Sequence, residues 1–380
     1  MSVSRRHFVS ALGLGGAGLL APPLLGARGH EDRLASWLQA STPSSPAGLI
    51  RLDSNENPNG PGPRAFEAIR AMFGEANRYP DDPERALVEA IAREHGVSAE
   101  NVILGCGSSE ILRMGVEAYT NSAQHLVTAG PTFELPGNFA KTVGRPVVTV
   151  PVDAKLRLDL DAMASAAGGA GLVFFCNPNN PTATVHGDAA VRDFVARVRR
   201  ESPATVILID EAYHEYVDDP TYRTAVPMVM SDPRLIVSRT FSKVFGMAGL
   251  RAGYAIAHRD TARKLQGWRL GSGVSVLAAA AATASIADHE HIALEQKRNR
   301  EAKAFTRAWF EKAGYEVGAS EANFLMIDIR REVRPVRDAC RTAGIAVGRP
   351  FPPLTTQLRI SIGTMDEMRK ATEVLKRVLA

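Results

Sequence analysis

Cysteine is scarce in this 380-residue chain. Cys106, Cys176 and Cys340 are too few and too far apart for a disulfide scaffold or a zinc knuckle. Aromatic residues make up only 6% of the chain, and no run of lysine or arginine is interleaved with them. The net charge of +4 is itself uneven: residues 1–28 hold Arg5, Arg6 and Arg28 and no acid, which leaves +1 for the remainder. A body so close to neutral lacks the basic face that nucleic-acid binding needs. Arg330, Arg331, Arg334 and Arg337 form a small basic cluster, and they read as a solvated helix face. Hydrophobic content of 45% and charged content of 23% exclude collagen-like, coiled-coil and disordered classes. The length predicts about two domains.

The first thirty residues stand apart. Arg5-Arg6 precede an uncharged stretch, Phe8–Leu25, which four glycines and Pro22-Pro23 interrupt. A basic start, a weakly apolar middle and small residues near Ala27-Arg28-Gly29 describe an export signal. The arginine pair followed by x-Phe resembles a twin-arginine signal. The glycines and prolines make this stretch a poor membrane anchor, so no stable anchor is expected. The expected location is periplasmic or otherwise exported, with the signal spanning 1–29 and a Ser/Pro-rich linker spanning 30–48.

Beyond the linker, short apolar runs alternate with helical patterns. The strands predicted are Val102–Leu104, His125–Thr128, Pro146–Val150, Leu172–Cys176, Thr205–Ile209, Leu235–Ser238 and Ala252–Ala257. Strands separated by helix-length segments predict an α/β fold: a mostly parallel sheet covered by helices on both faces. Ligands of such sheets bind beyond the carboxyl ends of the strands. After about residue 275 the texture changes. An alanine-rich helix (Val276–Ile286), a long charged helix (Ile292–Ala313) and two strands (Asn323–Ile329, Leu358–Ile362) read as a smaller α/β unit. The expected boundaries are a large domain over 76–275 and a small domain made of 276–380 plus 49–75.

The residues with chemistry gather at the predicted strand ends. Lys243 follows one strand and has a second cation, Arg251, near it in sequence; such a lysine can have a depressed pKa and serve as an amine nucleophile. Asp210 ends an all-apolar strand, where a shielded carboxylate wants a cationic partner; a pyridinium nitrogen would serve. Tyr213 and Asn180 offer hydrogen bonds to a phenolate oxygen. Ser108 and Ser109 open a helix behind Gly105 and Gly107, which is the makings of a phosphate site. Thr240, Ser242 and Arg251 extend it.

The joint pattern resembles the fold-type I pyridoxal-phosphate aminotransferases of class I/II, and is most similar to their histidinol-phosphate branch. The matching stretches are Ser54-Asn55-Glu56-Asn57-Pro58, Arg78-Tyr79-Pro80-Asp81, Gly107-Ser108-Ser109-Glu110, Asn177-Pro178-Asn179-Asn180-Pro181-Thr182, Asp210-Glu211-Ala212-Tyr213, Arg239-Thr240-Phe241-Ser242-Lys243, Ala248-Gly249-Leu250-Arg251 and Leu358-Arg359-Ile360-Ser361. The resemblance implies pyridoxal 5'-phosphate as cofactor, with Lys243 attached to it covalently and moving the proton. Asp210 would hold the ring nitrogen, Asn180 and Tyr213 the ring oxygen, and Phe133 the ring face. Ser108, Ser109, Thr240, Ser242 and Arg251 would hold the phosphate. It also implies that Arg359 and Asn57 contact the substrate, and that Tyr79 reaches the phosphate of a neighbouring subunit in a homodimer with shared sites. The implied reaction is ping-pong transamination between an amino donor and a 2-oxo acid acceptor. An alternative reaction on the same scaffold is decarboxylation.

The sequence departs from the family at four places. Asn59 stands where an aromatic is usual, Ala183 where a glycine is, and Phe133 where a tyrosine is. The stretch Trp268–Ser275 lacks the Arg-x-Pro-Tyr of the histidinol-phosphate branch. Together with the export signal, this predicts an amino compound other than histidinol phosphate, with a true histidinol-phosphate aminotransferase as the alternative.

Overall fold

The computed structural model describes residues 48–380. The export signal and all of the linker except its last residue lie outside the described residues. Twelve strands alternate with helices: β1 (Ile50–Leu52), β2 (Val102–Cys106), β3 (Leu126–Gly130), β4 (Val147–Pro151), β5 (Leu172–Cys176), β6 (Val206–Asp210), β7 (Leu235–Thr240), β8 (Ala252–Ala257), β9 (Glu316–Val317), β10 (Phe324–Asp328), β11 (Ile345–Val347) and β12 (Gln357–Ser361). Seven of them form one sheet in the order β2-β8-β7-β6-β5-β3-β4. Its pairs are parallel except those made by β8, which runs antiparallel to both β2 and β7.

The reason for this sheet is visible in its central strands. β5 (LVFFC) and β6 (VILID) are buried along their whole length, as a sheet covered on both faces requires. Side chains alternate between the two faces. Val173, Phe175, Ile207 and Ile209 enter one core; Leu172, Phe174, Val206 and Leu208 enter the other.

A third core lies beneath β10 and β12, where Leu325, Ile327, Leu358 and Ile360 meet Met368 and Leu375 of the final helix, Met365–Leu379. That helix opens on a capping box between Thr364 and Glu367. β1 pairs with β11, so the start of the described chain is tied to its end. The expected boundary at 276 falls at the start of a helix whose packing reaches both expected units. Helix Val276–Ile286 packs on helices Pro63–Ala71 and Asp81–His95, and its buried alanines join the core of the large sheet. The alanines make this close helix contact possible, and Ala65 does the same from the other side. No helix among the described residues is long and apolar enough to cross a membrane.

Candidate active site

One edge of the large sheet collects the chemistry. β2, β3, β5, β6 and β7 all end there, and the reversed β8 begins there. Gly107-Ser108, Thr132-Phe133, Asn180, Tyr213 and Lys243 therefore arrive on loops after strand ends, while Arg251 arrives just before a strand start. All of these but Gly107 line a cleft of about 690 Å³ with Ser109, Asp210, Thr240, Ser242 and Arg359.

Two predicted residues lie elsewhere. Asn57 is buried beside the cleft wall, where its amide donates to the Val244 carbonyl at 2.9 Å; it lines a separate cavity of about 200 Å³. Tyr79 is 83% exposed and does not line the cleft.

At one end of the cleft, Ser108 and Ser109 begin helix Ser108–Tyr119, whose first N–H groups have no intrahelical acceptor. Gly107 sits at φ +72°, and a Cβ there would collide with the Arg251 guanidinium. The glycine thus lets Arg251 close over the helix N-terminus. Arg251 donates to the Ala248 carbonyl at 2.9 Å and reaches Ser242 Oγ at 3.4 Å. Thr240 Oγ1 donates to Ser242 Oγ at 3.0 Å. This set of hydroxyls, N–H groups and one guanidinium fits a phosphate dianion.

In the middle, Asp210 is buried and accepts from Ser238 Oγ at 2.6 Å. Burial pushes its carboxyl up to about 6, against the pull of Ser238 and of the Lys243 charge. A carboxylate so short of donors fits a protonated ring nitrogen. The Lys243 amine is pushed down to about 8, first by burial and then by the Arg359 charge. Its Nζ donates to the Asn55 carbonyl at 3.0 Å. Burial also raises Tyr213, whose hydroxyl accepts from Asn55 Nδ2 at 3.1 Å.

At the other end, Arg359 is held from two sides. Its Nη1 donates to Asn180 Oδ1 at 2.7 Å, and its Nη2 to the Asp53 carbonyl at 2.6 Å. The guanidinium also lies over Phe351, 4.6 Å from the ring centre. Its buried Nε–H has no partner among the described residues. Burial lowers its pKa to about 10, still charged at neutral pH.

Sequence reasoning missed several lining residues. Arg349 stacks on Phe351 at 4.3 Å and pairs with Glu134 at 2.5 Å. Arg337, expected on a solvated face, also lines the cleft and makes no ion pair among the described residues. No spacing rule marks these, because they reach the cleft only through the fold of the C-terminal segment. Asn55, two residues before Asn57 in the same motif, is the one that reaches the cleft. Its left-handed φ of +55° and its burial are what set it apart. Ala183 adopts φ +59°, which explains the glycine usual at that position. Asn59 bonds Glu295 at 2.8 Å, a contact that suits an amide.

A mostly parallel sheet with a lysine, a buried aspartate and a phosphate cradle at its carboxyl edge defines a fold-type I pyridoxal-phosphate enzyme. The family pattern for aminotransferase class I and II matches residues 47–375, and the chain belongs to that family. A histidinol-phosphate aminotransferase of Symbiobacterium thermophilum is 38% identical over 87% of this chain and 91% of its own. Histidinol-phosphate aminotransferase 2 of Pseudomonas aeruginosa is 36% identical over 88% and 90%. The crystal structure of histidinol-phosphate aminotransferase from Sinorhizobium meliloti, in complex with pyridoxal 5'-phosphate, superposes with a TM-score of 0.81 at 27% identity, covering 87% of this chain and 90% of that one. The protein is a transaminase, and pyridoxal 5'-phosphate is its cofactor. When bound, that cofactor supplies the electron sink for the bond broken at the substrate carbon.

Proposed function

We propose that this aminotransferase moves an amino group between a donor with an anionic far end and a dicarboxylic 2-oxo acid. The observation that carries the reading is the cluster of arginines opposite the phosphate cradle. Arg359 is positioned for one carboxylate, Arg349 shares the Phe351 ring with it, and Arg337 also lines the cleft, which leaves cations for a second anionic group. A phosphate or a second carboxylate meets that chemistry. Histidinol phosphate, the substrate in the names of the relatives, carries such a group and belongs among the donors to be tried.

In this reading Lys243 attaches the cofactor and carries the proton at the substrate carbon. Asp210 keeps the ring nitrogen protonated, Tyr213 faces the ring oxygen, and Phe133 covers the ring. Ser108, Ser109, Thr240, Ser242 and Arg251 hold the phosphate. Asn180 acts on Arg359, which it fixes for the carboxylate. A homodimer is part of the same reading. Tyr79, Trp268 and Leu270 are exposed, and the Arg269–Glu84 pair ties the 268–270 loop to the helix that follows Tyr79. Export by the twin-arginine route rests on Arg5-Arg6 and the apolar stretch after them.

The test is a half-reaction screen on the leaderless protein. Histidinol phosphate, glutamate, aspartate and apolar amino acids are added singly, and the visible cofactor band is followed. Bleaching by anion-ended donors, and recovery with 2-oxoglutarate, is the expected result. Faster bleaching by apolar donors would refute the anion-reading end. Lys243→Ala is expected to abolish both the band and turnover.

A further inference from the structure

Asn323 lies immediately before β10, outside every motif that led to the cleft, and is buried. Its Nδ2 donates to the Asn55 carbonyl at 3.1 Å and to the Glu56 carbonyl at 3.3 Å. The Asn55 carbonyl is the same oxygen that accepts from Lys243 Nζ. Asn55 is itself doubly engaged. Its N–H donates to Ser361 Oγ at 2.8 Å, and Ser361 Oγ donates to Asn55 Oδ1 at 3.0 Å. Its Nδ2 donates to the Tyr213 hydroxyl. The backbone of Asn323 is anchored in turn, because its carbonyl accepts from Ile362 N at 2.8 Å.

We propose that Asn323 is a positioning residue for the Lys243 amine. It aims the Asn55 carbonyl and fills one of that oxygen's two lone pairs, so that the oxygen accepts a single N–H from the lysine. This inference rests on the aminotransferase reading for its meaning, but its first test does not need turnover.

A carbonyl oxygen has two acceptor sites, and an unprotonated amine has two N–H groups and one lone pair. With Asn323 on one site, Lys243 takes the other, and the amine's rotation is restricted. Its lone pair is then held in a defined direction while it waits for a carbonyl carbon or a proton. The charged ammonium gains less from an oxygen that is already shared, so the arrangement favours the neutral amine. A left-handed residue between β1 and the helix at 63–71 has no sheet partner to fix its carbonyl, and Asn323 does that from the small sheet.

The charged groups facing the amine are Asp210 at the end of β6, Glu56 after β1, Arg359 on β12 and Arg251 before β8. None of these charged side-chain groups bonds the Asn323 side chain, which meets Glu56 only at its backbone carbonyl. The remaining oxygen of that side chain is buried without a partner among the described residues, and Asn323 is one of the residues around the cavity of about 200 Å³. Asn299 lines the same cavity and has no bond to Asn55, which makes it the control.

The experiment compares the full leaderless chain with Asn323→Leu, Asn323→Asp and Asn299→Leu. The protein is stripped of cofactor, and the rate of pyridoxal phosphate capture is followed at the visible band from pH 6 to 10. Capture needs the neutral amine, so its rising limb reports the Lys243 pKa. Asn323→Leu should move that limb up by about half a pH unit, the Coulombic environment being unchanged. Asn323→Asp, which adds a negative charge, should move it further in the same direction. Asn299→Leu should leave it in place. In single turnover with the best donor, Asn323→Leu should be about 10-fold slower with the donor KM altered less than twofold, the loss of one oriented group. A limb that stays put in both Asn323 variants, with cofactor content and thermal midpoint as in the parent, overturns the inference. So does an equal shift in Asn299→Leu. If the parent captures cofactor but transaminates nothing, the function falls, and the capture limb still decides the role of Asn323.

Discussion

At the residue scale, the cleft works by keeping charges short of partners until the cofactor and substrate supply them. Lys243 illustrates the sign. Burial and Arg359 lower its pKa from 10.5 to about 8, so the neutral amine appears more than two pH units earlier than on an ordinary lysine. Cofactor capture by the parent protein is therefore expected to rise as pH increases through about 8 and to level off above it. A limb near 10 would show that the amine is solvated. Asp210 is the complementary case, a buried carboxylate with one hydroxyl donor and room for a cation. Asp210→Asn removes the charge that keeps a ring nitrogen protonated. The expected loss is about 100-fold or more in kcat, with the visible band retained. Gly107 belongs to the same scale. Gly107→Ala forces Arg251 off the helix N-terminus and should weaken the cofactor about 10-fold or more, read by equilibrium dialysis.

Lys243, Asp210, Ser108, Ser109, Ser242 and Arg251 were all legible in the sequence, because each stands at the end of an apolar run or at a helix start. Asn55, Asn323, Arg337 and Arg349 were not. Their place comes from contacts across hundreds of residues, and no local spacing encodes such contacts.

At the scale of elements, the strand ends are braced as well as occupied. Arg239 in β7 is buried and pairs with Glu211, which follows β6, at 2.7 Å. It also meets Glu215 at 3.3 Å and donates to Thr224 Oγ1 at 3.0 Å. Glu211 adjoins Asp210, and Arg239 lies four residues before Lys243. The ion pair therefore locks the two loops whose side chains must face one ring. Arg239→Met leaves two buried carboxylates without their cation. It should lower stability by about 3–5 kcal/mol, read from the denaturant midpoint. A loss under about 1 kcal/mol would mean that solvent reaches the pair.

The sequence reading found the seven strands of the large sheet to within two residues at either end, because β-branched runs buried on both faces carry a strong local signal. It did not find β1, β9 or β11, which have two or three residues each and depend on their partners. Nor did it place helix Val276–Ile286. An alanine-rich helix has no polar stripe to show which core it joins.

At the scale of the molecule, the exposed Tyr79 matters most. A tyrosine that is 83% exposed and outside its own cleft's lining finds a purpose if a second copy covers it. Sedimentation of the leaderless protein is expected to give twice the mass of one chain. Tyr79→Phe should weaken cofactor retention severalfold while leaving the monomer fold intact by circular dichroism. A monomer at micromolar concentration would remove that role from Tyr79.

The pairing of β1 with β11 has one more consequence, for biosynthesis. Asn55 emerges early from the ribosome, whereas Asn323, Arg359 and Ser361 emerge in the last sixty residues. The lysine that accepts the cofactor is translated well before the residues that orient it. The carboxylate clamp is therefore the last part of the cleft to be made, and a nascent chain halted before Arg359 already carries the residues that meet the cofactor but not the one that meets the substrate.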